Sequence, residues 1–344
     1  MQNNRDTILD GFRAYAVMAV VAGHAMAYRY ADQFEAAGVV GHRLRELSGP
    51  LADFGVYLFF GISGYIITHL LLREEKRKGR ISIGAFYIRR TCRILPPLLA
   101  YLITLFLLDR FGTIATPVEQ LPRALFTCNL DFGDCDWFTA HTWSLAVEEQ
   151  FYLFWPIIFL FASIPSRIVY AGVGMAILVG IYSVVPWVFH SNPLSFACIA
   201  AGVAMALRPQ WRQYLADRTG SLIWCVAVAL AVLGPKLFGY WLTGLLMPAI
   251  IVIVLFGSYG LTWLHPLLTN RVAQWVAAMS YSLYLWQQLF LASPERAQLP
   301  VLLLPIAAYV SMVLVERPFM RLSHKLSRRM TRTTPSTTEP EKTA

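Results

Sequence analysis

Hydrophobic residues in this chain form about ten long runs, separated by short polar loops that hold most of the charge. A helix needs about 20 apolar residues to cross the hydrocarbon core of a bilayer, and several runs are close to that length. The pattern predicts an all-α protein, a polytopic membrane helix bundle of about ten transmembrane helices. The runs cover residues 12–30, 51–72, 95–110, 143–161, 168–188, 194–207, 221–233, 241–259, 272–292 and 300–315.

The basic residues predict how this bundle is oriented. Loops beside a membrane that are rich in lysine and arginine face the cytoplasm. With ten helices, the basic loops at 73–93, 208–218 and 317–332 all fall on one side. We therefore expect both termini in the cytoplasm and the loop 111–142 outside. The strongest loop contains Arg73, Lys76, Arg77, Lys78, Arg80, Arg89, Arg90 and Arg93.

Composition supports the membrane prediction. Of the 344 residues, 57% are hydrophobic and 14% are charged, which is about half the charged share of soluble domains. The net charge of +9 arises from clustered inner loops, so we expect the lipid bilayer as a partner and no nucleic acid. The segment 1–6 lacks the basic region and cleavage site of a signal peptide, and the first hydrophobic run is expected to be retained.

The chain divides into two predicted regions. Residues 1–322 form the integral-membrane domain, whereas residues 323–344 are first basic and then rich in Thr, Pro and Glu, which predicts a disordered cytoplasmic tail. We find no zinc-ligand spacing and expect no metal site. Cys128 and Cys135 share the loop 111–142, where an oxidising compartment could join them. Two free thiols are the alternative if the loop is cytoplasmic or the backbone holds them apart.

Two ionisable residues, Arg13 and His24, lie eleven positions apart in the first hydrophobic run. This spacing is about three helical turns, so both side chains share one face, about 16 Å apart along the axis. If Arg13 lies at one membrane surface, His24 lies near the midplane, where an ionisable residue usually has a function. The alternative is a buried histidine that bonds a neighbouring helix.

Five motifs follow one another along the chain: 9–13 with His24 and 59–65, then 87–96, 141–152, 280–286 and 316–318. In this order they resemble the membrane-bound acyltransferase 3 family. The resemblance implies that an acyl group, commonly acetyl, is transferred from cytoplasmic acyl-CoA to a hydroxyl of a carbohydrate or glycoconjugate at the bacterial inner membrane. One departure is Gln287, where many relatives have a histidine, because an amide cannot titrate in its place.

O-acylation by a thioester requires a base, donors for the developing oxyanion, and a cationic site for the donor's phosphates. His24 is the predicted catalytic base, because the ordinary pKa of histidine lies nearest neutral pH. We expect no bound cofactor, since acyl-CoA is a substrate. Its phosphates are predicted to bind Arg13, Arg89, Arg90 and Arg93, whose guanidinium groups suit phosphate. Alternatively, these arginines only set the topology, as we expect of Lys76, Arg77 and Lys78.

The fourth run adds polar residues at helical spacing, namely Ser144, Glu148, Tyr152 and Trp155, which share one face. Glu148 is predicted to be catalytic, either by orienting His24 or by binding the acceptor. A carboxylate near a helix N-terminus is the structural alternative. Trp143, Ser144 and Tyr152 are predicted to bind the carbohydrate or glycolipid acceptor.

Two other function classes also need buried polar residues. A secondary transporter usually shows internal repeats and paired broken helices, and neither pattern occurs in this sequence. A sensor or scaffold would have a purely structural polar core. The sequence therefore favours an acyl-CoA-dependent O-acyltransferase.

Overall fold

The computed structural model describes residues 6–130, 135–184 and 194–332, and the regular elements in these ranges are all helical, as predicted. Two π-helical segments, Ala25–Arg29 and Met312–Glu316, extend α1 and join α15 to α16. The α-helices are α1 Thr7–His24, α2 Ala31–Ala36, α3 Gly38–Glu46, α4 Ser48–Lys78, α5 Ile83–Arg110, α6 Trp137–Ala140, α7 Thr142–Phe161, α8 Ile164–Val184, α9 Leu194–Leu207, α10 Pro209–Arg218, α11 Ser221–Leu237, α12 Tyr240–Gly257, α13 His265–Thr269, α14 Arg271–Leu291, α15 Leu304–Ser311 and α16 Arg317–Arg332.

The helices match the predicted hydrophobic runs, but they differ in their ability to cross a membrane. Within the described ranges, five continuous helical segments are long and apolar enough, and α10 with α11, bent by 106° at their junction, would make a sixth. Ten crossings and cytoplasmic termini stay predictions. The break predicted around Pro186 lies outside the described residues. The five segments are Gly38–Lys78, Ile83–Arg110, Trp137–Phe161, Tyr240–Gly260 and Val301–Met330.

The C-terminal helix α16 crosses the predicted domain boundary at residue 322. Residues 323–332, which the sequence placed in a disordered tail, are helical, and residues 333–344 lie outside the described ranges. The polar composition suggested disorder, but Ser323 and Ser327 are buried one helical turn apart where α16 packs along α5. Small side chains at this spacing let two helices approach closely, and this tertiary contact holds the segment in place.

Glycines bring the central helices into close contact. A Cβ atom on Gly64 of α4 would collide with the backbone of Ile199 on α9, and one on Gly202 would collide with the carbonyl oxygen of Gly61. Gly61 and Gly64 are therefore close-packing positions of α4. Small residues at such interfaces are the usual means by which membrane helices associate.

Helices α1 and α14 run parallel and position the first motif. The Gln274 side chain donates to the carbonyl oxygen of Thr7 at 2.8 Å near the start of both helices, and His24 bonds Gln287 near their other ends. Gly11 also lies against the backbone of Leu268. Arg13 and His24 are therefore held at fixed heights in the bundle.

The bundle has two chemically different ends. The basic end is where α4 finishes at Lys78 and α5 begins at Ile83. The disulfide end is where α5 finishes, and it contains a disulfide between Cys128 and Cys135, whose Cα atoms lie 5.8 Å apart. Of the two alternatives for these cysteines, the structure has the bridged one.

We predict that Gly64→Ala destabilises the bundle by about 1–3 kcal/mol, because the added methyl group forces α4 and α9 apart. The matched control is Gly172→Ala in α8, where an added Cβ meets nothing within 4 Å. This control should be neutral or slightly stabilising, since alanine favours helix over glycine. Thermal unfolding of the purified variants in detergent measures the difference. Equal unfolding temperatures would contradict the packing role of Gly64.

Candidate active site

A cavity of about 120 Å³ lies among helices α1, α4, α5, α7 and α14, and we call it the inner cavity. It brings together six of the nine site residues predicted from the sequence, and they come from three different helices. Those six are Arg13, Arg90, Arg93, Ser144, Glu148 and Tyr152. Its other polar lining residues are Ser63, Ser280, Tyr281 and Tyr284.

The carboxylate of Glu148 is held inside this cavity by two hydrogen bonds. The hydroxyl of Ser63 on α4 donates to it at 2.7 Å, and that of Tyr152, one turn along α7, donates at 2.9 Å. Three arginine side chains line the same cavity, so Glu148 balances part of their positive charge. No hydrogen bond joins Glu148 to His24 among the described residues, and the predicted orienting role falls to another residue.

His24 is oriented by the amide of Gln287. Its Nδ1 atom lies 2.9 Å from Oε1 of Gln287. An amide oxygen only accepts, so this contact assigns the ring proton to Nδ1 and leaves the lone pair on Nε2. His24 is the last residue of α1, directly before the π-helical segment Ala25–Arg29, and such segments are frequent at functional sites.

His24 lies just beyond the end of the inner cavity. Tyr284 lines that cavity, and Gln287 follows it by three residues on α14, or about one helical turn towards the disulfide end. The second histidine of this region, His141, has both ring nitrogens occupied, by the Gln288 side chain at 2.6 Å and the Leu285 carbonyl at 3.0 Å. Of the two, His24 is the one with a nitrogen suited to take a proton.

A second cavity, the basic cavity of about 580 Å³, lies at the basic end of the bundle. Arg90 and Arg93 line both this cavity and the inner cavity, so the two adjoin at their guanidinium groups. Arg89 lines only the basic cavity and bonds Glu74 at 3.3 Å. The basic cavity is also lined by Arg73, Arg77, Lys78, His324 and Arg328. Arg77 and Lys78, which the sequence assigned to topology alone, thus also face this space.

A third cavity of about 390 Å³, the disulfide-end cavity, lies on the other side of His24. The Tyr28 ring lines it and lies 6.0 Å from the His24 ring, centroid to centroid. The Trp137 ring lies 4.2 Å from Tyr28 and 6.2 Å from His24. The remaining lining residues are Ala27, Glu35, His42, Arg45, Glu46 and Ser48. His24 is therefore placed between a basic side and a polar, aromatic side.

Comparison with known families shows which family the chain belongs to. A family model described as "Acyltransferase domain", that of acyltransferase 3, matches residues 6–315. The chain belongs to the acyltransferase 3 family. As a member with several long apolar helices, it is an integral membrane protein.

Three relatives illustrate the similarity. A Staphylococcus aureus (strain COL) protein named as a candidate O-acetyltransferase is 28% identical over 319 residues, covering 81% of this chain and 49% of the relative. The peptidoglycan O-acetyltransferase OatA of Listeria monocytogenes is 23% identical over 319 residues, covering 81% and 48%. The O-acetyltransferase OatA of Staphylococcus aureus (strain NCTC 8325) is 32% identical over 166 residues, covering 44% and 24%.

The chain spans about half the length of the first two of these curated relatives. No solved structure gives a significant match.

Of the nine predicted residues, His24, Arg89 and Trp143 do not line the inner cavity, and the positions of His24 and Arg89 are given above. The Trp143 ring packs edge-on against Phe60 with centroids 6.0 Å apart. Trp137, six residues earlier, is the tryptophan that borders His24, and its Nε1 atom donates to the Gln288 carbonyl at 3.1 Å. Sequence reasoning missed Trp137 and Tyr28 because helical spacing within one segment does not show which aromatic rings from separate segments meet.

Gln287, the departure from the family pattern, is also explained by this geometry. The residue is fully buried, and its Nε2 atom has no hydrogen-bond partner within the described part of the chain. An amide cannot titrate, but it can accept from Nδ1 of His24 and still offer a donor to a substrate oxygen. The residue at this position therefore positions the histidine.

We predict that Gln287→Leu lowers kcat for acyl transfer about 10- to 100-fold, because the Nδ1–H group of His24 loses its buried acceptor. Gln287→His, which restores the residue common in relatives, should retain most of the rate, since a ring nitrogen can also accept. Binding of CoA should be the same in both variants. An unchanged kcat in Gln287→Leu would show that this contact does not orient the base.

Proposed function

We propose that this protein transfers an acetyl group from cytoplasmic acyl-CoA to a hydroxyl of a carbohydrate or glycoconjugate on the far side of a bacterial inner membrane. The observation that carries the proposal is the position of His24. It lies between the inner and basic cavities on one side and the disulfide-end cavity on the other. Donor and acceptor can reach one base from opposite ends of the bundle. In this proposal the basic end is cytoplasmic, the chain crosses the membrane about ten times, and both termini are inside.

The donor enters at the basic end. Its phosphates bind the arginines that line the basic cavity, since guanidinium groups match phosphate oxygens with two parallel hydrogen bonds. The uncharged pantetheine arm then passes Arg90 and Arg93 into the inner cavity. Glu148 keeps this passage from being uniformly positive, and Ser63 and Tyr152 fix its carboxylate. The thioester is thereby delivered to the Tyr284 end of the cavity, about one turn from Gln287.

The chemistry is a single acyl transfer. His24 takes the hydroxyl proton of the acceptor at Nε2 while the hydroxyl oxygen attacks the thioester carbonyl carbon. The Nε2–H group of Gln287 is placed to donate to the oxygen that becomes negative. The carbon–sulfur bond then breaks, the ester remains on the acceptor, and His24 returns the proton to sulfur, so that CoA leaves as a thiol.

The acceptor approaches from the disulfide end. The rings of Tyr28 and Trp137 border His24 and provide apolar faces on which a sugar ring can stack. The disulfide-end cavity adds Glu35 and Arg45 as polar groups for hydroxyls. One relative is named a peptidoglycan O-acetyltransferase, which favours a cell-wall glycan as the acceptor class. The O-acetyltransferase names of the relatives also favour an enzyme over a transporter.

We predict that His24→Ala lowers kcat for transfer from radiolabelled acetyl-CoA by about 10²- to 10⁴-fold, the usual contribution of a general base. Affinity for CoA should stay the same, because His24 does not line the basic cavity. The assay uses membranes that contain the acceptor glycan, with equal amounts of each variant confirmed by immunoblot. Full activity in His24→Ala would exclude this histidine as the base.

The proposed orientation predicts which side the disulfide faces. In a chain whose Cys92, Cys198 and Cys225 are replaced by alanine, a membrane-impermeant maleimide should label intact cells only after reduction. Labelling then reaches Cys128 and Cys135, because an oxidising outer compartment preserves disulfides. Labelling that requires permeabilised cells would place the basic end outside, where it has no access to cytoplasmic acyl-CoA.

A further inference from the structure

The family match ends at residue 315. One wall of the basic cavity is formed by residues that come after this point in the sequence. Helix α16 begins at Arg317 and packs along α5. Five of its side chains line the basic cavity, opposite those of α4 and α5. They are Met320, Ser323, His324, Ser327 and Arg328.

The helix presents different chemistry on each face. Ser323 and Ser327 are buried, and the neighbouring positions His324 and Arg328, one turn apart, face the basic cavity. Arg321 and Lys325 are exposed and are not among the lining residues. A third face carries a partly exposed apolar stripe at helical spacing, formed by Phe319, Leu322, Leu326 and Met330. Such a stripe is typical of a helix that lies at a membrane interface.

The opposite wall is strongly cationic. Six lysine and arginine residues of α4 and α5 line the cavity, and Glu74 is the single acidic residue among its lining side chains. The volume of about 580 Å³ is within the usual range of about 300–1,000 Å³ for small-molecule sites. The six are Arg73, Arg77, Lys78, Arg89, Arg90 and Arg93. A space of this size and charge suits a polyanion such as a nucleotide.

We propose that α16 is the second wall of the donor site, where His324 and Arg328 bind phosphates of the nucleotide end of acyl-CoA against the arginines of α5. The inference rests on the proposed acyl-CoA donor and extends it to a helix that follows the family match. A ring N–H and a guanidinium both donate to phosphate oxygens, and Arg90 and Arg93 lead from this site into the inner cavity.

Anionic lipid headgroups have the same phosphate chemistry, but the structure favours the nucleotide. The apolar stripe of α16 lies on a different face from His324 and Arg328. When the apolar stripe faces the acyl chains of the lipids, the side chains of His324 and Arg328 face the space between α16 and α5. A phosphate bound there is continuous with the inner cavity, where the thioester arm is required.

The test compares two pairs of substitutions in the full chain, purified and placed in zwitterionic phosphatidylcholine bilayers. One variant is His324→Gln with Arg328→Gln, and the control is Arg321→Gln with Lys325→Gln, two exposed residues of α16 that do not line the basic cavity. The control pair removes one more formal charge than the cavity-facing pair, so an effect of surface charge alone would be at least as large in the control. Binding of radiolabelled CoA and KM for acetyl-CoA are measured, and transfer from S-acetylpantetheine, which has no nucleotide, is the second donor. Arg328→Lys keeps the positive charge and serves as a further variant that can be measured if the double variant does not fold.

We expect the cavity-facing pair to weaken CoA binding and to raise KM for acetyl-CoA about tenfold or more, in line with the loss of charged hydrogen bonds. The rate with S-acetylpantetheine should be unchanged, the control should match the wild type, and Arg328→Lys should recover part of the affinity. Equal effects of both pairs would mean that surface charge alone matters and would overturn the assignment, as would no effect of either.

Two further results distinguish the proposed acyl-CoA donor from the proposed role of α16. If the wild type binds no CoA, the donor itself is wrong and the role of α16 is overturned with it. If the wild type binds CoA and all variants bind it equally, only the assignment to α16 is overturned. An effect of the cavity-facing pair that occurs only when anionic phosphatidylglycerol is added would assign His324 and Arg328 to lipid headgroups instead.

Discussion

The hydrogen bond between His24 and Gln287 is the contact on which the geometry of this site depends. It joins α1 to α14 at the level where the inner cavity ends, and it leaves the lone pair of the ring on Nε2. The parallel packing of the two helices, fixed by Gln274 at their other ends, keeps the imidazole at that height. A base held at a set depth between two cavities is what the proposed transfer across a membrane requires.

Electrostatics divide the interior into regions with different roles. Cationic side chains are concentrated at the basic end, and Glu148 is the one carboxylate among the side chains that line the inner cavity with Arg90 and Arg93. His24 itself is bordered by the Gln287 amide and the rings of Tyr28 and Trp137. Charged side chains occur again in the disulfide-end cavity. In the proposed function, this gradient lets a polyanionic nucleotide bind at one end, while its uncharged arm occupies the low-dielectric centre where unpaired charge is costly.

The packing that supports this gradient relies on small residues. Gly61, Gly64 and Gly202 bring α4 and α9 into backbone contact, and buried serines bring α16 against α5. The close contact between α4 and α9 keeps the central helices rigid around the cavities. The contact between α16 and α5 makes a polar segment one wall of the basic cavity. Neither effect depends on hydrophobicity, because lipid surrounds apolar side chains as readily as protein does.

The sequence by itself determined the all-α membrane architecture and six residues of the inner cavity, whereas it left open whether Cys128 and Cys135 are bridged. These follow from local properties, namely hydrophobic run length, helical spacing and family motifs. Only the tertiary structure decided that Gln287 rather than Glu148 orients His24, that Trp137 rather than Trp143 borders it, and that α16 is ordered. Each of these depends on which helices meet at which depth, and spacing along one helix carries no information about contacts with another.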